Sequence, residues 1–507
     1  TTDSEVTTKS TYLIVGAGRS GINAAQLLKK VGEAFIIYDG NESFDTEAAC
    51  EKIGADNIEF VLGDFSRFDF SRIDICVVSP GVPLDTPIMK AVKEHNIPIW
   101  GEVELAYRHD KGTVIGITGT NGKTTTTSLT YDIMKRHVKK ALLVGNIEIP
   151  YTGYALESDS NSVTVAEISS FQLETMVTFK PHVTAILNIT PDHLDRHKTL
   201  ENYIAIKESI TKNQDENDFC VLNYNDPVLR KFSETPRCKV IFFSSSEELE
   251  SGVFLRGETI IIKENGVETP VCTTKDTSLV GMHNYENIMA AVAMTRAMGV
   301  PLDTIRQGIK EFTAVEHRIE FVAEKNGVKY YNDSKGTNPD AAIKAVCAMP
   351  SPTILIGGGY DKKSSYDEWV ATFEGRVKEF LLIGKTKHDI AAACDRAGFK
   401  AYKFVDTLEE AVSIAPAKIA ASSPPAPPRI SRIALRLSCG SAGTSSSLIC
   451  SSSSGWRVWQ ASSSSRAISR ISASVSLAMI SLASSMPLNT CMYSLRAFIR
   501  SPSSLYS

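Results

Sequence analysis

Short apolar runs rich in β-branched residues recur along most of the chain, and glycine or polar residues follow each of them. Continuous apolar runs of this length are typical of strands buried on both faces of a parallel sheet, and helix-forming segments separate them. The pattern therefore predicts an α/β fold. The expected strands cover residues 11–15, 35–38, 75–78, 114–117, 141–144, 163–166, 183–187, 328–331, 353–356, 380–383 and 401–405. The expected helices include 201–212 and 288–298.

The order of these elements predicts three α/β domains followed by a tail. At 507 residues the chain is long enough for several domains, each with its own core. We expect the first domain over residues 1–109, the second over 110–313 and the third over 314–410. The tail covers residues 411–507 and differs from the rest in composition.

The strongest functional signal is the segment that follows the strand at 114–117. Gly119 and Gly122 allow a close approach of the backbone to a ligand, and a helix is expected to start at about Thr124. A strand, a glycine-rich turn and a helix N-terminus form a phosphate cradle, in which Lys123 can reach the terminal phosphates and Thr124 can hold Mg²⁺. The strict P-loop pattern is not met, because its first glycine would fall on Ile117.

A second glycine-rich turn lies in the first domain. Residues 16–21 have the spacing G-x-G-x-x-G between a strand and a helix, and Asp39 ends the next strand. This arrangement predicts a site for NAD or for any nucleotide diphosphate, and the spacing leaves the two open. The turn Ser79-Pro80-Gly81 also follows a strand, so it is either a ligand-binding turn or a plain Pro-Gly turn.

Polar side chains also follow the strands of the second domain. Glu167 ends a buried strand and is a candidate Mg²⁺ ligand, or a helix N-terminal glutamate answering the helix dipole. His193 lies in a charged cluster after the strand at 183–187. Taken alone, the position of Lys207 on an expected helix predicts a solvated lysine. Asn284 is expected to cap the helix at 288–298, and Asn287 is a candidate for reading a base edge.

The composition of the chain argues against several classes of function. The formal charge of −4 argues against nucleic-acid binding by bulk electrostatics. Ten cysteines are scattered without a C-x-x-C pair, which indicates a reducing cytoplasm and argues against structural zinc. We see neither a signal peptide nor a run of 18 uncharged apolar residues, so a cytoplasmic protein without a membrane partner is expected.

The composition changes at Ala411. All 58 acidic residues precede it, whereas nine of the 54 basic residues follow it in a serine-rich segment. Residues 411–507 show no sustained helical or alternating pattern. We interpret them as low-complexity sequence or as an out-of-frame or wrong-strand translation, favour the latter, and expect disorder.

Several segments in order resemble the blocks of the Mur ligase family. Residues 118–125 are similar to its phosphate loop, and residues 167–174 are similar to the signature of the branch that adds D-glutamate. Later blocks resemble residues 192–197, 281–287, 317–318 and 332–335. The resemblance covers residues 10–410. It implies a Rossmann-like UDP-binding domain, a central P-loop ATPase domain and a Rossmann-like C-terminal domain, here incomplete.

The resemblance also implies a reaction. ATP would phosphorylate the carboxylate of UDP-N-acetylmuramoyl-L-alanine, and the amine of D-glutamate would attack the acyl phosphate, giving an amide, ADP and phosphate. The expected partners are these two substrates, the expected cofactors are ATP and Mg²⁺ at two sites, and a monomer acting in cytoplasmic peptidoglycan synthesis is implied.

Residue roles follow from the same resemblance, without being derived from spacing. The implied ATP contacts are Gly119, Thr120, Asn121, Gly122, Lys123, Thr124, Thr125, Asn287, Arg318 and Asp333. The implied substrate contacts are Arg19, Ser20, Asp39, Ser79 and Gly81 for UDP, Asn146 and His193 for the muramoyl-alanine, and Lys335, Thr337, Asp361 and Lys363 for D-glutamate. The implied metal positions are Thr124 and Glu167 for one Mg²⁺, and His193 and a carbamylated Lys207 for a second. Lys123, Glu167, His193 and Lys207 are the expected catalytic residues.

The chain departs from the family at one place. The family has a last strand leading into a Ser-Pro-Ala-x-Ala-Ser-type block, and nothing after Glu410 resembles it. Two alternatives therefore stay open beside the ligase: a nucleotide-binding relative without ligase activity, and an NAD-linked oxidoreductase built on residues 16–21.

Overall fold

The computed structural model describes residues 10–147, 149–313, 319–325, 328–349, 351–359, 365–421, 431–437 and 446–452. The chain divides after Thr313 into two compact units, residues 1–313 and 314–507. In the described part, no helix is both long and apolar enough to span a bilayer.

Twenty-one strands and sixteen α-helices are labelled here in chain order. The strands are β1 (Thr11–Val15), β2 (Ala34–Asp39), β3 (Glu59–Leu62), β4 (Ile75–Val78), β5 (Ile99–Gly101), β6 (Thr113–Thr118), β7 (Ala141–Gly145), β8 (Val163–Glu167), β9 (Val183–Ile186), β10 (Phe219–Asn223), β11 (Lys239–Ser244), β12 (Gly252–Arg256), β13 (Thr259–Glu264), β14 (Val267–Thr273), β15 (Glu320–Lys325), β16 (Val328–Asn332), β17 (Thr353–Gly358), β18 (Val377–Ile383), β19 (Tyr402–Phe404), β20 (Ser431–Leu437) and β21 (Ser446–Ser452). The helices are α1 (Arg19–Val31), α2 (Thr46–Ile53), α3 (Pro87–Glu94), α4 (Glu102–Tyr107), α5 (Lys123–His137), α6 (Tyr151–Tyr154), α7 (Ser170–Leu173), α8 (Leu194–His197), α9 (Leu200–Glu208), α10 (Pro227–Phe232), α11 (Met282–Ala297), α12 (Leu302–Glu311), α13 (Pro339–Ala348), α14 (Asp367–Ala371), α15 (Lys387–Arg396) and α16 (Leu408–Ala421).

The first sheet is parallel, with strand order β3-β2-β1-β4-β5. Alternate residues of β1 enter different cores: Ile14 packs on one face of the sheet and Leu13 on the other. Both faces are covered, which is why this strand reads as a continuous apolar run. The strand order reverses between β1 and β4, and ligands of open α/β sheets bind at such a point.

The second sheet has nine strands in the order β14-β13-β12-β11-β10-β9-β6-β8-β7. β6 lies between β8 and β9, parallel to both, with Ile117 opposite Glu167 and Thr118 opposite Ile186. The carboxyl ends of these three strands therefore meet at one edge. The strands β12 to β14 extend the sheet in antiparallel fashion.

The third sheet contains strands that the composition of the tail did not predict. Its order is β15-β16-β20-β21-β17-β18-β19, and β20 pairs in parallel with both β16 and β17. α16 also continues to Ala421, past the expected domain end at 410. The expectation that residues 411–507 lack regular structure is therefore wrong for these segments. The physical reason is that β16 and β17 present backbone groups that need ladder partners, whatever the side chains.

Two helix predictions also need correction. α11 begins at Met282 with Gly281 as its N-cap, so Asn284 and Asn287 lie inside the helix and do not precede it. α9 ends at Glu208, and a 3₁₀ turn over Ser209–Thr211 follows it.

Each unit contains buried free cysteines. Cys76 lies on β4, Cys220 on β10 and Cys394 on α15, and all three side chains are fully buried.

Candidate functional site

The phosphate loop connects β6 to α5 through two glycines with positive φ. Gly119 has φ +150° and Gly122 has φ +87°. A Cβ on Gly122 would lie 2.3 Å from Oδ1 of Asn287, so no larger residue fits there. Thr124 and Thr125 occupy the first turn of α5 and are buried.

The far side of the loop is held by the segment after β9. The backbone N–H of Asn121 donates to Oδ1 of Asn188 at 2.8 Å, and Nδ2 of Asn188 donates to the Asn121 carbonyl oxygen at 3.0 Å. The hydroxyl of Thr120 donates to the carbonyl oxygen of Thr190 at 3.0 Å. These bonds fix the loop before any ligand arrives.

Asn287 supports the loop from the other side. Its Oδ1 accepts from the Thr126 hydroxyl at 3.2 Å, and its Nδ2 donates to Oδ1 of Asn284 at 3.1 Å. The side chain is buried. The amide oxygen and the amide nitrogen of Asn287 therefore both bond within the protein in this structure. Asn287 was expected to contact ATP bound at this loop.

Glu167 ends β8 beside the loop and has an incomplete set of partners. It is 2% exposed, and its Oε1 accepts from Nδ2 of Asn146 at 2.9 Å. Its buried Oε2 has no hydrogen-bond partner. A buried carboxylate oxygen without a donor is costly, and a cation ligand would satisfy it.

His193 lies after β9 in an unusual backbone conformation. Its φ is +54°, and its ring packs edge-on against Phe171 at a centroid distance of 4.8 Å. The side chain of His193 is 40% exposed, and its Nε2 lies 3.7 Å from Oδ2 of Asp192. The ring therefore stands at the surface of the site, where it can meet a substrate.

Lys207 is buried, so its interpretation as a solvated helix lysine is wrong. The side chain is 1% exposed, and Nζ donates to the Gly119 carbonyl oxygen at 2.9 Å. Nζ also lies 4.7 Å from the ring centroid of Tyr203. Burial lowers the pKa of Lys207 well below its ordinary value, and the charge of Lys123 lowers it further. Lys207 is buried because α9 packs against the phosphate loop. The spacing of residues in the sequence does not reveal this packing.

In the first domain the predicted substrate residues surround the switch between β1 and β4. The Ser79 hydroxyl donates to the Gly16 carbonyl oxygen at 2.9 Å, joining the two turns. Oδ2 of Asp39 accepts from the Ala17 N–H and Oδ1 from the Asn41 N–H, so this carboxylate orders the glycine-rich turn.

The remaining first-domain residues lie around the same turns. Arg19 and Ser20 open α1, and Gly81 has open space where a Cβ would point. A cavity of about 530 Å³ borders the turn along α1 and is lined by Ala17, Gly18, Arg19, Ile22, Asn23, Gln26 and Lys52.

The second compact unit, residues 314–507, contains described residues of the predicted D-glutamate and ATP sites. Lys335 and Thr337, expected to contact D-glutamate, and Asp333, expected to contact ATP, lie between β16 and α13. Asp333 is 3% exposed, and its Oδ1 accepts from the Ile319 N–H at 3.3 Å. Arg318, Asp361 and Lys363 lie outside the described residues.

Sequence reasoning assigned no role to three residues that build the site. Asn188 clamps the loop, the Tyr203 hydroxyl lies 3.1 Å from the Thr120 hydroxyl, and Nε2 of the buried His197 lies 2.9 Å from the Ser170 hydroxyl. A usable signal existed for Tyr203, which stands one helical turn before Lys207 and so shares its face.

The chemistry of this edge suits a nucleotide with a hard cation. Within the described ranges, no group of three His, Cys, Asp or Glu side chains is arranged to hold a metal by itself. Mg²⁺ often takes only one or two protein oxygens and completes its shell with phosphate and water. Glu167 and the Thr124 hydroxyl fit such a site.

Sequence comparison identifies the family to which this fold belongs. Models of a Mur ligase MurD-like N-terminal domain, a Mur ligase middle domain and a Mur ligase glutamate ligase domain match residues 10–101, 117–295 and 317–423. The chain belongs to the Mur ligase family, and the predicted three-domain α/β architecture is confirmed. Family membership leaves the oxidoreductase interpretation of residues 16–21 without support.

Individual relatives place the chain within that family. It is 51% identical to the UDP-N-acetylmuramoylalanine–D-glutamate ligase of Lachnospira eligens over 404 residues, which cover 80% of this chain and 90% of that one. It is 44% identical over 402 residues to the enzyme of the same name from Thermoanaerobacter sp. strain X514, covering 79% and 88%.

Solved structures with low identity share the fold. The UDP-N-acetylmuramate–alanine ligase MurC of Thermotoga maritima superposes with a TM-score of 0.51 at 18% identity, covering 80% of this chain and 92% of that one. MurF of Acinetobacter baumannii superposes with a TM-score of 0.53 at 17% identity, covering 82% and 88%.

Proposed function

We propose that this protein is an ATP-dependent ligase that joins D-glutamate to UDP-N-acetylmuramoyl-L-alanine in peptidoglycan precursor synthesis. The geometry that carries the proposal is the junction of β6, β8 and β9, where Glu167 has one unpartnered oxygen beside a phosphate loop. The identity to ligases of that name over four-fifths of the chain supports the choice of substrates.

The proposed reaction has two steps. The substrate carboxylate attacks the γ-phosphorus of ATP, giving an acyl phosphate and ADP. The amine of D-glutamate then attacks the acyl carbon, a proton leaves the nitrogen, and phosphate departs. Lys123 stabilises charge on the transferred phosphoryl group, and the N–H groups of the loop bind the phosphates. His193 and Asn146 orient the muramoyl-alanine.

Mg²⁺ would screen the phosphate charges when bound, held by Glu167 and Thr124, and a second ion would use His193 and Lys207. The low pKa of Lys207 favours the neutral amine, which is the form that adds CO₂. We propose that Lys207 is carbamylated, because this converts a buried neutral amine into an anion suited to a metal.

In the first domain we propose that UDP, and not NAD, occupies the switch point formed by the turns at Gly16 and Ser79. Calorimetry with both ligands tests this. Binding of NADH without binding of the UDP substrate would contradict it.

The decisive experiment is phosphate release from ATP. Release that needs both UDP-N-acetylmuramoyl-L-alanine and D-glutamate supports the ligase, and release independent of D-glutamate argues against it. A second candidate is a nucleotide-binding protein without ligation, favoured by one observation: the glutamate ligase domain match stops at residue 423, and 84 residues follow. ATP binding without product would select it.

A further inference from the structure

The helix α4 connects the first sheet to the second domain and contains two glutamates that are almost completely buried. Glu102 is 2% exposed and Glu104 is 0% exposed. Burying a carboxylate costs free energy unless several donors satisfy it. The donors to each glutamate therefore identify the segments that α4 is bound to.

Glu102 attaches α4 to the helix α6 of the second domain. Its Oε1 accepts from the Thr152 N–H at 2.8 Å and from the Thr152 hydroxyl at 3.0 Å. Burial raises the pKa of Glu102, and the two Thr152 donors act against that rise. Glu102 thus holds the first turn of α6.

The segment before α6 leads to Glu167. The carbonyl oxygen of Ile149, two residues before α6 begins, accepts from the Gly145 N–H at 2.7 Å. The next residue, Asn146, donates through its backbone N–H to the Glu167 carbonyl oxygen at 2.9 Å and through Nδ2 to Oε1 of Glu167 at 2.9 Å. Glu102 is therefore connected through α6 to the carboxylate with the unpartnered oxygen.

Glu102 is also joined directly to the first sheet. It follows β5 without an intervening residue, and Gly101 of β5 pairs with Val78 of β4. β4 leads into Ser79, the residue that bonds the Gly16 turn. A continuous bonded path thus runs from the turns of the first domain through Glu102 to Glu167.

We propose that Glu102 is a positioning residue, which sets Glu167 and Asn146 relative to the turns that hold the UDP moiety. It touches no substrate and acts through Thr152. This inference rests on the proposed function, because it assigns Glu167 to the metal of the ligation reaction.

Glu104 provides a matched control on the same helix. It accepts from the Val177 and Thr178 N–H groups and from the Thr178 hydroxyl, all within 3.0 Å. None of these bonds leads back to Glu167. Glu104→Gln and Glu102→Gln both replace one buried carboxyl group and keep the side-chain shape. Glu104→Gln also weakens the ion pair of Glu104 with Arg108, but only Glu102→Gln weakens the path to the metal ligand.

The test measures Mg²⁺-dependent ATP affinity by calorimetry, together with thermal unfolding and the steady-state constants for the UDP substrate. Replacing outer partners of metal ligands typically costs about 10–100-fold in affinity or activity. We expect Glu102→Gln to weaken Mg²⁺-dependent ATP binding by about tenfold, at the lower end of that range. Its kcat should fall while Glu104→Gln stays near the wild type at equal or greater loss of thermal stability.

Equal Mg²⁺-dependent affinity in the wild type and both variants would overturn the proposal, as would equal weakening in both. If Glu102→Gln does not fold, Thr152→Val decides by the same criterion, with Thr152→Ser as the variant that restores the hydroxyl donor. A wild type that shows no Mg²⁺-dependent ATP binding would refute the proposed function itself. Binding without ligation would refute the ligase and leave the role of Glu102 decided by the affinities.

Discussion

Lys123 and Lys207 donate to the same atom. Their Nζ atoms lie 2.8 Å and 2.9 Å from the carbonyl oxygen of Gly119. Two ammonium groups on one carbonyl repel each other, and Lys207 is the more deeply buried of the two. The structure therefore favours an uncharged Lys207 and leaves Lys123 to contact the phosphate.

This relationship predicts a pH-dependent stability. Burial lowers the folded pKa of Lys207 below its ordinary 10.5, so between these two values the unfolded chain binds a proton that the folded chain lacks. The free energy of unfolding should rise with pH in that window. The reason is that the cost of burying Lys207, which is present at lower pH, disappears as the pH approaches 10.5. In buffer free of bicarbonate, Lys207→Met should be more stable than the wild type by a margin that shrinks as pH rises.

Urea unfolding from pH 6 to 10 measures that margin. Ile210→Val, a buried neighbour without a titrating group, is the control and should show a constant difference. A constant margin for Lys207→Met as well would place the folded pKa of Lys207 near its ordinary value.

Carbamylation of Lys207 should be visible by mass analysis in bicarbonate under mild conditions. Lys207→Ala should abolish ligation and regain part of it when a small carboxylate is added, because the acid can occupy the gap. Lys212→Ala is the control, since the Lys212 amine bonds the Met176 carbonyl oxygen elsewhere. A fully active Lys207→Ala would remove this lysine from the reaction.

Lys123→Ala should lower kcat by about 10²–10³, the usual loss when a preorganised group facing developing charge is removed. Lys135→Ala, at an exposed position on the same helix, should stay near the wild type. Phosphate release measures both. A loss below about tenfold would exclude Lys123 as the residue that stabilises the transferred group.

Gly122→Ala should weaken ATP binding and destabilise the loop. The new Cβ would meet Oδ1 of Asn287 at 2.3 Å in a strained backbone region, which costs about 1–3 kcal/mol by itself. Gly257 has φ +60° but open space around the missing Cβ, so Gly257→Ala isolates the backbone strain from the contact. Equal losses in both variants would show that the contact with Asn287 contributes nothing.

A substitution in β20 tests whether this segment forms a strand, as the structure shows, or is disordered, as its composition predicts. Ala434 pairs with Tyr331 and with Leu355, so Ala434→Pro removes a ladder donor. A buried carbonyl left without a donor costs about 1–3 kcal/mol, and the free energy of unfolding of the second unit, residues 314–507, should fall by that amount. Ala434→Val keeps the N–H and is the control for the missing ladder donor. Unchanged unfolding of the proline variant would support the disorder predicted from the serine-rich sequence.

Local sequence predicted the strands well where both sheet faces are covered. β1 and β4 match their apolar runs residue for residue, and the loop from Gly119 to Thr125 joins a strand to a helix as expected. The strands β10 to β14 were not predicted. In β14 the burial alternates irregularly and Pro270 interrupts the run, so the pattern resembles a loop.

The site was harder to predict wherever it depends on packing. The sequence predicted a solvated Lys207 and placed Asn287 before its helix. Both side chains are buried because α9 and α11 pack against the phosphate loop. The tail strands pair through backbone groups, which no side-chain pattern reports.

The cysteines of the chain give it built-in reporters of local opening. Cys76, Cys220 and Cys394 belong to the first, second and third sheet regions, and burial raises the pKa of each thiol. A buried thiol reacts with an alkylating reagent only when its surroundings open, so the labelling rate of each measures a local unfolding equilibrium. Pulsed alkylation followed by peptide mapping would therefore resolve three separate opening free energies in one unmodified protein. If the second unit, residues 314–507, opens by itself, Cys394 will be alkylated while Cys76 and Cys220 stay protected.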